Sequence, residues 1–259
     1  MVFIDNDYEE EDLPPPPPRP RFRPGAVLFA FLVAISAMIV WLARPPQDVL
    51  ADPASLLKNF EMIAFGRTDE LRIWRTPLRI ALRGDGVEDF RPIVIEAAAL
   101  FASLTSLDAQ VLPAEAESFN LLVEMVSPAD YPMIAARFGA RIDDAGYLAE
   151  HALCYTVSTQ GVQNPRQMRA TVAIPNDLAP GEIPTCIWHE MMHAFGFQSH
   201  PEPMFFSVLR EGRRPTKNDL VLLRTLYDVR LGQGSRAQMM ANARGLIEEH
   251  ARAGRLSAD

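Results

Sequence analysis

The chain has 259 residues, 25 Lys plus Arg against 33 Asp plus Glu, a net charge of -8 and 48% hydrophobic residues. That apolar content is enough for a buried core and excludes a wholly disordered chain. An acidic chain with no run of Lys or Arg to track a phosphate backbone also argues against nucleic acid as a partner. The two cysteines, Cys154 and Cys186, form neither a CxxC redox pair nor a four-thiolate zinc site, which leaves room for a single disulfide or for two buried free thiols.

Residues 1–24 hold acids from Asp5 to Asp12 and then the prolines 14–18. Such a stretch has no apolar surface to bury and few donors for a helix, so it is predicted to be a disordered cytoplasmic tail with polyproline II character. Residues 25–43 carry no charge. At about 1.5 Å rise per residue they are long enough to cross the hydrocarbon of a bilayer, and they read as an uncleaved signal-anchor. Arg19, Arg21 and Arg23 precede this segment and only Arg44 follows it before Pro45 and Pro46. The positive-inside rule then gives a single-pass protein of the bacterial inner membrane, amino terminus cytoplasmic and the remainder periplasmic.

Residues 44–67 are expected to be a stalk. Asp52 as N-cap, Pro53 at N1 and Gly66 at the end mark a three-turn helix, read as a spacer leaving the membrane. Residues 68–259 form the domain. Leu78, Ile80 and Leu82 alternate with Arg79, Ala81 and Arg83 ahead of Gly84-Asp85-Gly86, the period of a half-buried strand ending in a turn. Residues 90–104, alanine-rich and apolar on more than one face, predict a helix covering a sheet. Residues 120–126, 152–158 and 168–174 are three further strands, so the fold class is α+β, with a mixed sheet ahead of later helices.

Residues 189–193 read His189-Glu190-Met191-Met192-His193, the HExxH pattern. Four residues turn an α-helix by about 400°, so the two imidazoles project from one face within reach of a single ion, with Glu190 beside them. Neutral imidazoles suit Zn2+, which acidifies a bound water, and Glu190 is the candidate base for that proton. Only five histidines occur in the chain, and His189, His193 and His200 fall within twelve residues. His151 and His250 have no partner spacing and read as ordinary surface or core residues.

Residues 189–200, HEMMHAFGFQSH, resemble the metzincin form of the zincin motif, in which the helix breaks at a glycine and a third histidine follows. The likeness implies a metzincin-like zincin domain with a mixed sheet, a motif helix and C-terminal helices. Residues 186–247, including SVLREGRRPTKNDLVLLRTLYDVRLGQG, more closely resemble an uncharacterised bacterial envelope family described only as a domain of unknown function, which implies no activity. Two departures from metzincins stand out. The family's third ligand lies three residues beyond the glycine, here Ser199, whereas His200 lies four beyond Gly196. Leu209 also stands where a methionine is expected beneath the metal.

Ligand chemistry favours His200 over a serine hydroxyl as the third ligand, since one added turn residue costs little. A two-histidine site completed by Glu202 is the alternative. Thr216 and Asp219 form a capping box ahead of a helix in which Leu220, Leu223 and Tyr227 recur at core spacing. Tyr227 is assigned to packing rather than to an oxyanion. Residues 235–252 predict a closing amphipathic helix with Met239, Ala243, Leu246 and Ile247 inward.

The sequence thus predicts a membrane-anchored zinc metallopeptidase acting on peptide or protein in the cell envelope, with His189, His193 and His200 on Zn2+ and Glu190 as base. The competing expectation is a non-catalytic envelope module that binds or scaffolds. Outside the cytoplasm Cys154 and Cys186 are expected to pair, tying a strand to the motif helix.

Overall fold

A computed structural model of the chain describes residues 49–131, 133–134, 153–160, 168–210 and 212–256. The expected tail, the span at 25–43 and His151 lie outside these residues. Among the described residues no helix is long and apolar enough to cross a membrane.

The fold is α+β. Five strands form one mixed sheet: β1 (Leu78–Arg83), β2 (Ala109–Val111), β3 (Leu121–Val126), β4 (Tyr155–Gln160) and β5 (Met168–Pro175), in the order β2-β1-β3-β5-β4. The first four neighbours run parallel, and β4 alone is antiparallel, paired on β5 from Tyr155 opposite Ala173 to Gln160 opposite Met168. β1 follows its alternation at five of six positions, with Leu78, Ile80 and Leu82 buried and Arg79 and Arg83 half-buried, but Ala81, expected on the open face, is fully buried as well.

The helices are α1 (Pro53–Phe65), α2 (Arg91–Leu104), α3 (Ile183–Ala194), α4 (Lys217–Tyr227) and α5 (Arg236–Leu256). α3 packs on β4, β5 and α2, while α1, α4 and α5 pack on one another. The capping box on α4 is present: Thr216 accepts from the Asp219 amide and Asp219 from the Thr216 amide. On α5, Met239, Ala243, Leu246 and Ile247 are buried as the periodicity predicted. The α4 stripe differs from expectation, because Val221, Leu222, Leu223 and Leu226 are buried while Leu220 is only half-buried.

Three further expectations are corrected. The three-residue β2 was missed, and the strand predicted at 152–158 runs instead over Tyr155–Gln160. More consequentially, the helix at Pro53–Phe65 is not a spacer. Asp52 caps it as predicted, accepting from Ala54 N and Ser55 N at 3.0 Å, but Leu56, Phe60, Ile63, Ala64 and Phe65 are fully buried. Its final carbonyls, orphaned at any helix end, are taken up by the loop after α3: Gln198 N donates to Ile63 O at 2.6 Å and Gln198 Nε2 to Ala64 O at 2.7 Å. The stalk boundary at residue 67 therefore cuts through the core.

The expected disulfide is formed between Cys154 and Cys186, Cα atoms 6.0 Å apart. It joins the residue before β4 to the first turn of α3.

Leu56, Phe60, Ile63 and Phe65 each contribute about 1.5–3 kcal/mol by burial, which together rivals the roughly 5–15 kcal/mol net stability of a domain. A chain beginning at residue 68 should therefore show no cooperative thermal transition, whereas one beginning at residue 49 should unfold in a single step by circular dichroism. Equal melting of the two would return α1 to the role of a spacer.

Candidate metal centre

The centre is built on the end of α3. His189 and His193 lie one turn apart on its face toward β4, and the helix then closes in a Schellman turn: Gly196 N donates to His193 O at 2.9 Å and Phe197 N to Met192 O at 3.3 Å. Gly196 has φ +119, and a Cβ there would sit 2.1 Å from Arg72 O, so both backbone conformation and close approach require glycine. Trp74 Nε1 donates to Ala194 O at 2.8 Å and the Tyr227 hydroxyl donates to Phe195 O at 2.8 Å. Tyr227 also accepts from Trp74 N at 3.1 Å and meets Phe101 edge-on, which confirms its packing role.

The reversed chain carries His200 back over the helix. His189 Nε2 lies 3.1 Å from His200 Nε2 and 3.3 Å from His193 Nε2, and one ligand atom from each of the three rings falls within 4.8 Å of the others. On two of the rings the remaining nitrogen is engaged by backbone: His189 Nδ1 on Val208 O at 3.0 Å and His193 Nδ1 on Phe197 O at 2.7 Å. A carbonyl only accepts, so Nδ1 of His189 and of His193 carries the proton and Nε2 of each neutral ring presents a lone pair. Burial and the neighbouring rings hold His189 down at about 4 and His193 at about 3; burial and the Arg210 charge lower His200 as well. Neutral imidazoles with converging lone pairs repel unless a cation lies among them. Tetrahedral Zn2+ with bonds of about 2.0–2.1 Å would space its nitrogens by about 3.3 Å, so the donor set fits that ion in number, type and spread.

Glu190 is buried, with Oε1 4.0 Å from His189 Nε2. Burial pushes its carboxyl up to about 8, with the Thr156 hydroxyl working the other way. Thr156 Oγ1 also donates to Glu190 O at 2.8 Å, fastening α3 to β4. Glu202, the alternative third ligand, is turned elsewhere: its carboxylate pairs with Lys58 and its amide donates to Asn59 Oδ1 at 2.9 Å. Ser199 is not among the described residues that line the cleft beside the rings.

Beneath the histidines runs the turn that contains Leu209, fully buried in the apolar core where a methionine was expected. Asp219 holds this turn. Its carboxylate accepts from the Ser207 hydroxyl, from Val208 N at 2.9 Å and from Thr216 N at 2.8 Å. Sequence reading identified Asp219 only as a capping residue, and its position in the capping box gave no sign that the same oxygens fix the peptide that orients His189. Asn59, Trp74 and Gln198 were missed for the same reason, since each acts through contacts far along the chain. His250 is bonded to Asp228 at 3.2 Å, away from the centre, as its isolation in the sequence suggested.

The rings open into a cleft of about 760 Å³, bordered by Tyr155, Thr156 and Ser158 of the edge strand β4 and by the loop that carries His200.

Residues 53–244 match the DUF2927 family, described as proteins of unknown function, and the chain belongs to that family. The matched region begins with α1 and contains the whole histidine cluster. No curated protein and no solved structure matches the chain.

Loss of a ligating ring should exceed the roughly 10–100-fold cost of losing an outer-shell partner. His193→Ala and His200→Ala should each weaken zinc binding by about 100-fold or more in competition with a chromophoric chelator, while Glu202→Ala and Ser199→Ala stay close to the parent. Loss of affinity in Glu202→Ala with retention in His200→Ala would assign the centre to the two-histidine, one-glutamate class.

Proposed function

We propose that this member of the DUF2927 family is a zinc-dependent metallopeptidase, anchored by residues 25–43 in the bacterial inner membrane and hydrolysing peptide bonds in the envelope. The observation that carries the reading is a buried carboxylate, Glu190, set beside three converging imidazoles at the base of an open cleft. A purely structural metal site has use for the rings but none for Glu190.

Zinc held by His189, His193 and His200 would supply Lewis-acid polarisation of the scissile carbonyl and acidify a water molecule. The chain's own residues supply the remainder. Glu190, with Oε1 held 4.0 Å from His189 Nε2, accepts the proton of the attacking water and delivers it to the departing amine. The bonds from Nδ1 to Val208 O and Phe197 O hold two rings in the tautomer that leaves Nε2 free. β4 pairs only with β5, and no other described strand occupies its outer edge, which is where an extended peptide would add as a further strand beside the histidines.

The helix broken at Gly196, the third histidine on the returning loop and the apolar turn at Leu209 support a metzincin-like zincin relationship, with the returning loop one residue longer. The Cys154–Cys186 disulfide supports a periplasmic domain, because such bonds persist in oxidising compartments.

The test is Glu190→Gln against the parent, both as zinc-loaded full chain, on a broad peptide library. Zinc affinity should be retained while hydrolysis falls by about 10²–10⁴-fold, the usual contribution of a positioned general base. Equal hydrolysis by the two would remove Glu190 from the chemistry. Absence of hydrolysis by the parent on every peptide would favour a non-catalytic binding module instead.

A further inference from the structure

Among the described residues, the charge of the cleft lining runs against that of the chain. Among the side chains lining it are Arg72, Arg210 and Arg213, against the carboxylates Glu182 and Glu190, in a protein of net charge -8. The arginine ion pairs among the described residues involve Arg79, Arg91, Arg214, Arg230 and Arg236, and none of the three cleft arginines. The contrast is sharpest between neighbours: Arg214 grips both oxygens of Glu96 at 3.0 and 3.1 Å, while Arg213 has no carboxylate partner among the described residues.

Arg72 is half-buried, and its guanidinium donates to a neutral group, the Ser158 hydroxyl on β4, at 3.0 Å. Withdrawing a guanidinium from water without a counter-charge costs stability, so its retention beside the cleft is explained if the counter-charge arrives with the ligand. Arg210 is tethered through Nε to Pro201 O at 3.1 Å, next to His200, which fixes the base of its fork and leaves both Nη groups without a partner among the described residues. Guanidinium groups so presented match carboxylates in plane and spacing. Ser158 shares the face of β4 with Thr156, which bonds the backbone of Glu190, so Arg72 lies along the strand on which an extended peptide would be laid.

We propose that the cleft selects anionic peptides, with Arg72, Arg210 and Arg213 as specificity-determining residues that bind carboxylate groups flanking the bond held at the histidines. The proposal rests on the metallopeptidase reading for its substrate class, but its arginines act in binding and can be measured without turnover. The carboxylate comes from an Asp or Glu side chain or from a free carboxyl terminus.

The experiment uses the zinc-loaded full chain carrying Glu190→Gln and fluorescent peptides in four versions: acidic or with Gln and Asn replacing the acids, each with a free or amidated carboxyl terminus. Fluorescence anisotropy should give about tenfold tighter binding for a version bearing the recognised carboxylate, as one to two charge-assisted bonds provide. The side-chain and terminal arms identify which carboxylate is read. The preference should collapse in Arg72→Gln/Arg213→Gln, and Arg213→Gln alone, at an exposed position, should remove part of it. Equal binding of all four versions, no binding of any, or a preference that survives the double substitution would overturn the proposal. Hydrolysis by the parent separates the two readings. Preferential binding without cleavage would leave the anion-selective cleft and remove the peptidase, whereas cleavage of neutral and acidic peptides at equal rates would do the reverse.

Discussion

An imidazole that donates Nδ1–H to a carbonyl has only the Nε2 lone pair left to offer, and in this protein two such rings face one another across 3.3 Å with a third at 3.1 Å. Bringing these electron pairs together is unfavourable without a cation, so the scaffold must hold the rings in position. Much of the structure around them does this. Val208 O, which fixes His189, belongs to a turn pinned by the buried carboxylate of Asp219. Phe197 O, which fixes His193, is supplied by the Schellman turn that ends α3.

The same economy explains why distant segments belong to the centre. α1 holds the loop on its way to His200 through Gln198 and again beyond it through Asn59 and Glu202. Trp74 and Tyr227 close the end of α3, and the disulfide joins its beginning to β4. A neutral hydrogen bond is worth about 0.5–1.5 kcal/mol net, so no one of these ties is decisive, whereas removing a partner from the buried Asp219 network would leave polar groups unpaired at greater cost. The geometry of such a cluster depends on this outer layer as much as on the three rings themselves.

What was legible in the sequence were features whose signal is local. The β1 alternation, the Thr216–Asp219 capping box and the His189–His193 spacing each lie within one or two turns of chain, and each was read in the right place. The helix at Pro53–Phe65 was found by its cap and its closing glycine, but its role was misjudged. The stripe Leu56, Phe60, Ile63 announces a buried face without saying what buries it, and the answer lies on α4 and α5 more than 150 residues onward. β2 escaped because three residues cannot show a period. The cleft arginines could not be grouped from positions 72, 210 and 213, since only tertiary folding makes them neighbours. His200 was chosen as the candidate third ligand by chemistry rather than spacing, and the structure brings it to the cluster while pairing Glu202 with Lys58.

The central claim is that three imidazole nitrogens, and no sulfur or carboxylate from the protein, hold a zinc ion. X-ray absorption spectroscopy at the zinc edge of the loaded full chain tests it directly. The account predicts a first shell of light atoms at about 2.0–2.1 Å with the outer-ring scattering of three imidazoles and one further oxygen. A sulfur shell at about 2.3 Å, imidazole scattering from two rings only, or zinc lost on desalting would contradict it.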